Sequence, residues 1–270
     1  MHELPSALDQ SEDFVSRMRE KQLAVFLDYD GTLTPIVARP ELAVLAEEMR
    51  ETVRSLAELC PVAIVSGRDR LEVQHLVQIK SLIYAGSHGF DIAGPESIRF
   101  ERGSDFLASL DQAEQELLKT LSGLDGARVE RKKFSIAVHF RGVRQLDEER
   151  LEPIVDAILA GHPDLRKGLG KKVFELQPSI DWHKGKAVLW LLEALGLNAD
   201  DVLPVYIGDD VTDEDAFRSL TDQTKHAQHG IGIVVTETPR PTAAQYSLKN
   251  THEVRTFLLQ LSALLRVIAQ

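Results

Sequence analysis

Leu23-Ala24-Val25-Phe26-Leu27-Asp28-Tyr29-Asp30-Gly31-Thr32 is the stretch on which the fold turns. Five consecutive apolar residues between Lys21-Gln22 and Asp28 read as a strand buried on both faces, the kind found inside parallel sheets. Asp28 and Asp30 leave that strand together, at the end where α/β sheets gather their ligand-binding groups. Two carboxylates so placed offer a nucleophile beside a proton carrier.

The same rhythm extends outward. Leu42, Leu45, Met49, Val53, Leu56 and Leu59 recur in steps of three and four and describe one helix face. Pro61 to Val65 reads as a second short strand ending in Ser66-Gly67-Arg68, and Ser81 to Ala85 as a third ending in Gly86-Ser87-His88-Gly89. Strands alternating with helices predict a parallel sheet with right-handed crossovers, each strand end delivering polar or glycine residues to one rim.

After Gly94-Pro95 the pattern changes. A helix carries Phe106, Leu110, Ala113, Leu117 and Leu121; residues 134–141 then alternate apolar and polar, as in a sheet with one wetter face. A helix over 146–159, weakened or kinked by Pro153, and a strand at 173–176 follow. Residues 94–178 therefore read as an α+β domain inserted into an α/β core made of 1–93 and 179–270. That core resumes with Lys184-Gly185-Lys186 opening a helix and an apolar strand that runs into Gly208-Asp209-Asp210-Val211-Thr212-Asp213-Glu214. A strand at 231–235 and a C-terminal apolar-faced helix from Val254 to Ile268 complete it.

A chain of 270 residues with 43% hydrophobic content supports a full core and lies near the size at which cores divide. A net charge of -11, with no basic stripe interleaved with aromatics, excludes nucleic acid and anionic membrane as natural partners. Cys60 stands alone, so no internal disulfide forms; at the end of an apolar helical pattern it reads as core filler in a reducing compartment. The acidic N-terminus lacks a signal segment, and no apolar run approaches the roughly 18 residues of a membrane span. A soluble, cytoplasmic protein with no obligatory protein partner is expected.

DYDGT, SGR, a Lys-Gly at a helix start and GDDVTDE, in this order beside core elements, resemble the four motifs of haloacid-dehalogenase-like phosphatases. The resemblance implies a HAD-like Rossmannoid core with a parallel sheet and a C2-type inserted α+β cap. It implies that Asp28 is the nucleophile that forms an aspartyl-phosphate and that Asp30 is the general acid/base. Lys184 is the matching cation, with chemically identical Lys186 two residues away as its rival. Thr32, Ser66 and Gly67 fall at phosphate-binding positions, the Gly31 amide joining Thr32 in a small oxyanion cradle. Ser66 would equally cap an ordinary strand-to-helix turn. Mg2+ is the implied cofactor, held by Asp28, the Asp30 carbonyl and Asp209, with Asp213 as direct or indirect partner. Asp210 fits either a ligand or a carboxylate drawn to a helix N-terminus. The site offers neither thiolate nor grouped histidines for a softer metal.

Longer stretches carry a narrower resemblance. DYDGTLTPI, SGR, AGSHGF, VERKKFSIAVHFR, VFELQPSIDWHKGKAV and GDDVTDEDAF are similar to trehalose-6-phosphate phosphatases over nearly the whole chain. The implied reaction is Mg2+-dependent hydrolysis of trehalose 6-phosphate to trehalose and phosphate. Action on sucrose phosphate or another sugar phosphate is one alternative, and an inactive sugar-phosphate-binding regulator is another. Glu130, Lys132 and Glu175 match cap positions that grip the glucose units, although charged residues at 130–133 also suit a solvated strand edge. His139 with Arg141 resembles the family's HYR element, Phe140 replacing its Tyr. Arg68 and His88 complete the implied substrate-binding set, with Ser87 where relatives often carry Asn. Fungal and plant relatives often add a synthase-like domain, for which 270 residues leave no room, so a stand-alone enzyme is expected.

Overall fold

The computed structural model describes residues 4–9, 12–18, 21–37, 39–170, 172–221 and 230–268. They divide into two compact units, Met1–Phe100 with Trp182–Gln270, and Glu101–Asp181. The chain begins with α1 (Glu12–Met18), β1 (Gln22–Leu27), α2 (Glu47–Ala57), β2 (Val62–Val65), α3 (Arg70–Val77), β3 (Ile83–Gly86), β4 (Asp91–Ala93) and β5 (Arg99–Glu101). It continues through α4 (Leu107–Leu121), β6 (Arg128–Arg131), β7 (Ile136–His139), α5 (Gln145–Leu159), β8 (Leu165–Gly170) and β9 (Val173–Pro178). It ends with α6 (Lys184–Ala194), β10 (Val202–Gly208), α7 (Glu214–Thr221), β11 (Ile231–Val235), β12 (Tyr246–Leu248) and α8 (Thr251–Ile268).

The large sheet has the order β12-β11-β10-β1-β2-β3-β4-β5. It is parallel from β12 to β3, and β4 returns antiparallel to β3. β1 is buried from Leu23 onward, and every residue of β2, β3, β10 and β11 is buried. Helices on both faces require this unbroken apolar run. β1 lies between β2 and β10, so the strand order reverses direction beside it. Such a switch opens a crevice at the strands' carboxyl ends. Leu27 pairs with Ile207 in the ladder, so the residues following β1 and β10 emerge side by side.

α2 is shorter than the apolar spacing predicts. Leu42 lies in a 3-10 turn and is exposed, and Ala46 is extended with ψ 143°. The helix opens instead at Glu47-Glu48, where acidic side chains favour the positive end of the helix dipole. Met49, Val53 and Leu56 then face the core. Residues 94–100, read from the sequence as part of the insertion, fall with the first unit.

The second unit is a sheet of order β6-β7-β9-β8, antiparallel throughout. One face packs Ile136, Val138, Phe174 and Leu176 against apolar residues of α4 and α5. α5 continues through Pro153, held by buried Leu151, Val155 and Ile158 on either side. Proline removes one backbone donor, and the packed face keeps the helix continuous despite that loss. Among the described residues, no helix is long and apolar enough to cross a membrane.

Candidate active site

Asp28 follows β1 directly and is buried; its amide donates to the Ile207 carbonyl at 2.9 Å. Lys184, the first residue of α6, donates from Nζ to Oδ1 of Asp28 and to Oδ1 of Asp213, each at 2.8 Å. The second residue of the Lys-Gly pair explains how the first arrives. A Cβ at Gly185 would lie 2.2 Å from Ser219 Oγ and 2.3 Å from the Asp215 carbonyl, so only glycine lets α6 approach α7 this closely.

Asp28, Asp209 and Asp213 each present an oxygen within 4.8 Å of the others. Three carboxylates crowd around one buried ammonium, so acidic groups outnumber the cation that pairs with them. Burial raises the Asp28 carboxyl well above its ordinary range; Lys184 opposes this, while Asp213 and Asp209 add to it. Burial, with Asp213 and Asp210 nearby, pushes Asp209 up to about 7. Burial would lower the Lys184 ammonium, but Asp213 and Asp28 outweigh it and hold it above its ordinary value. The donors are all hard oxygens in an acidic setting, so the residues fit a hard divalent cation such as Mg2+. Thr32 adds an unmet need beside Asp30, its Oγ1 buried without a hydrogen-bond partner.

Asp213 is the most enclosed of the three. Its Oδ1 accepts from Lys184 and, at 2.6 Å, from the Tyr206 hydroxyl, while Oδ2 accepts from the Asp210 amide at 2.9 Å. Asp210 caps the following turn, its side chain accepting from the Val211 amide at 2.6 Å. It stands outside the three-carboxylate group.

Gly31 has φ +78°, and a Cβ there would lie 2.1 Å from Asp209 Oδ2. Its amide donates to the Thr34 carbonyl at 2.7 Å, so that donor is committed to the turn and not to an oxyanion cradle. Asp30 is gripped by Arg68, Nε to Oδ2 at 2.7 Å and a terminal nitrogen to Oδ1 at 2.8 Å. Arg68, expected to meet substrate, is buried and also pairs with Glu72. The Ser66 hydroxyl accepts from the Arg68 amide at 3.1 Å, while Asp69 stands at the N-cap of α3. His88 takes a left-handed conformation, donates its amide to the Ser66 carbonyl at 2.9 Å and lays its ring beside Gly67. The turn after β3 is thereby sewn to the turn after β2.

In the second unit, Glu130, Ala137 and Glu175 are cross-strand partners in one row over β6, β7 and β9. Lys132 Nζ lies 3.3 Å from Glu175 Oε1, and the Ser135 hydroxyl donates to the same oxygen at 2.8 Å. His139 Nε2 lies 2.9 Å from Glu130 Oε2, although its alternation with Phe140 permitted a purely solvent-facing role. Phe140 stacks on Phe174 with centroids 4.7 Å apart. Arg141 lies exposed just beyond β7.

Residues 26–252 match the family model described as Trehalose-phosphatase. The chain belongs to the trehalose-phosphatase family. "Trehalose 6-phosphate phosphatase RA3" of Zea mays is 44% identical, aligned over 97% of this chain and 76% of its own length. The structure titled "trehalose-6-phosphate phosphatase related protein" is 25% identical, with a TM-score of 0.77 and coverage of 92% of this chain and 100% of that one. A haloacid dehalogenase-like hydrolase from Bacteroides thetaiotaomicron, 16% identical, has a TM-score of 0.63 over 92% of this chain and 99% of its own. That likeness is one of fold.

Sequence reasoning missed several residues that build this trehalose-phosphatase family site. Tyr206 sits in an apolar strand just before the acidic turn, and a buried phenol in need of a partner was its only signal. Arg240 donates to the Asp209 carbonyl at 2.9 Å and lies 3.6 Å from buried Glu214. It belongs to no recognised motif. Glu72, in α3 and paired with Arg68, lies outside every motif.

Proposed function

We propose that the protein hydrolyses trehalose 6-phosphate to trehalose and phosphate through an aspartyl-phosphate on Asp28. The observation that carries this reading is the meeting of Asp28, Lys184 and Asp209 at the carboxyl ends of adjacent strands in a chain of the trehalose-phosphatase family. A phosphate monoester repels an approaching carboxylate, so attack requires cationic charge beside the phosphoryl oxygens. Lys184 supplies one such charge. Asp28, the Asp30 carbonyl and Asp209 would hold Mg2+, with Asp213 bracing Lys184 behind them. When bound, the ion neutralises charge on the phosphoryl oxygens as the nucleophile closes.

In the first half, an Asp28 oxygen bonds to phosphorus and the bond from phosphorus to the sugar oxygen breaks. The electron pair stays with that oxygen, which takes a proton from Asp30. In the second half, Asp30 takes a proton from water, the water oxygen bonds to phosphorus, and the Asp28–phosphorus bond breaks to release phosphate. Thr32, Ser66 and Gly67 supply the phosphate cradle, and His88 braces it from the neighbouring turn.

Trehalose is rich in hydroxyls and poor in apolar surface, so selection rests on polar groups that a wrong sugar leaves unmatched. The row of Glu130 and Glu175, with Lys132, His139 and Arg141 nearby on the second unit, supports that assignment. The test is phosphate release from trehalose 6-phosphate, sucrose 6-phosphate and glucose 6-phosphate, each with Mg2+ and with EDTA. We expect Mg2+-dependent release with kcat/KM for trehalose 6-phosphate at least about 100-fold above the others. Comparable rates on all three would remove the substrate assignment, and binding without release would favour a regulator.

A further inference from the structure

Arg68 is fixed on three sides. Two of its nitrogens grip the two Asp30 oxygens at 2.7 and 2.8 Å. A third is held by Glu72, one turn along α3. The guanidinium carbon lies 5.5 Å from the centroid of Tyr29, whose hydroxyl is tied to the Ala43 carbonyl at 2.6 Å. Planar two-point pairing sets both the direction and the plane of a carboxylate. A guanidinium only donates, so both Asp30 oxygens accept in this arrangement and neither is free to swing away.

We infer that Arg68 is a positioning residue that holds Asp30 as the oriented base for hydrolysis of the aspartyl-phosphate. This rests on the reading of Asp30 as the proton carrier. In the step concerned, a water oxygen bonds to phosphorus while its proton passes to the aligned Asp30 carboxylate. The phosphorus–oxygen bond to Asp28 breaks and its electron pair returns to Asp28. Attack by Asp28 in the first half needs no such alignment when the leaving group is already stable as an anion.

p-Nitrophenyl phosphate provides that leaving group. Wild type, Arg68→Lys, Glu72→Gln and Asp30→Asn, each with Mg2+ and with fold checked by circular dichroism, would be mixed with it in a stopped-flow instrument. Arg68→Lys should keep a fast burst of about one nitrophenol per enzyme, the sign of an accumulating covalent intermediate. Its steady state should then fall roughly 100-fold below wild type, the cost of misplacing a catalytic group by about an ångström. Glu72→Gln, which leaves Arg68 in place, should show the same pattern with a smaller loss. A slowed burst in Arg68→Lys would place Arg68 in the first half, as a substrate contact, and overturn the inference. Should Asp30→Asn stall after its burst while Arg68→Lys turns over normally, the inference alone falls; should Asp30→Asn turn over like wild type, the reading beneath it falls as well.

Discussion

Lys184 Nζ lies 2.8 Å from Asp28 Oδ1, although 156 positions separate the two residues. Both side chains are nearly solvent-free, and Asp213 shares the same ammonium. Removing one partner of a buried ion pair strands the other, at about 3–5 kcal/mol. Lys184→Met should therefore unfold at markedly lower urea in EDTA. Its phosphate release should fall by a factor of about 100 or more, since one stabilising group for phosphoryl charge is gone. Near-normal release would show that Lys184 is not the cation of the reaction.

Gly31→Ala tests the close approach of the first acidic turn to Asp209. The left-handed backbone costs a side chain about 1–2 kcal/mol, and the new Cβ would overlap the Asp209 carboxylate. Asp209 must move, so the Mg2+ concentration for half-maximal activity should rise roughly 10-fold or more, in step with a weaker affinity by titration calorimetry. An unchanged Mg2+ requirement would argue against Asp209 as a ligand.

The Glu130 carboxyl lies below its ordinary value of 4.5, chiefly through its hydrogen bond with His139, with Lys132 and Arg128 adding to the effect against burial. A carboxyl whose folded value is depressed adds stability above its unfolded value, and loses it as pH falls through the folded one. Glu130→Gln should thus flatten the acid limb of the unfolding curve between about pH 5 and pH 3. Equal slopes in both proteins throughout the acid range would contradict the pairing.

Burial pushes the Cys60 thiol up to about 12. The thiolate, which is the reactive form, is therefore scarce and enclosed near neutral pH. Ellman's reagent at pH 8 should leave the native protein unmodified and titrate one thiol per chain after unfolding. Rapid reaction of the folded protein would refute the assignment of Cys60 to the core.

The parts of the fold legible in the sequence were those where one physical demand dominates. β1, β2, β3, β10 and β11 are buried on both faces, so their apolar runs stand out. β8 did not, because Leu165–Gly170 carries Arg166, Lys167 and two glycines and gains its place from pairing with β9. The short strands β4, β5 and β12 lie at the sheet's two ends, where three residues suffice and no periodicity builds up. Motif order pointed to Asp28, Lys184 and Asp209, and the fold brings these side chains together. The grip of Arg68 on Asp30 and of Tyr206 on Asp213 depends on which side chains the sheet order makes neighbours, which residue spacing does not encode. α2 shows the converse error, an apolar spacing that continues past the true helix start because Leu45 is buried from an extended segment.

The most direct measurement of the central claim is to locate the phosphoryl group during turnover. Enzyme mixed with trehalose 6-phosphate and Mg2+ would be acid-quenched within milliseconds, digested and examined by peptide mass spectrometry, alongside Asp28→Asn. The account predicts a phosphorylated peptide whose modified residue is Asp28, absent from the variant, which releases no phosphate. A phosphoryl group on any other residue, or sustained release of phosphate by Asp28→Asn, would contradict it.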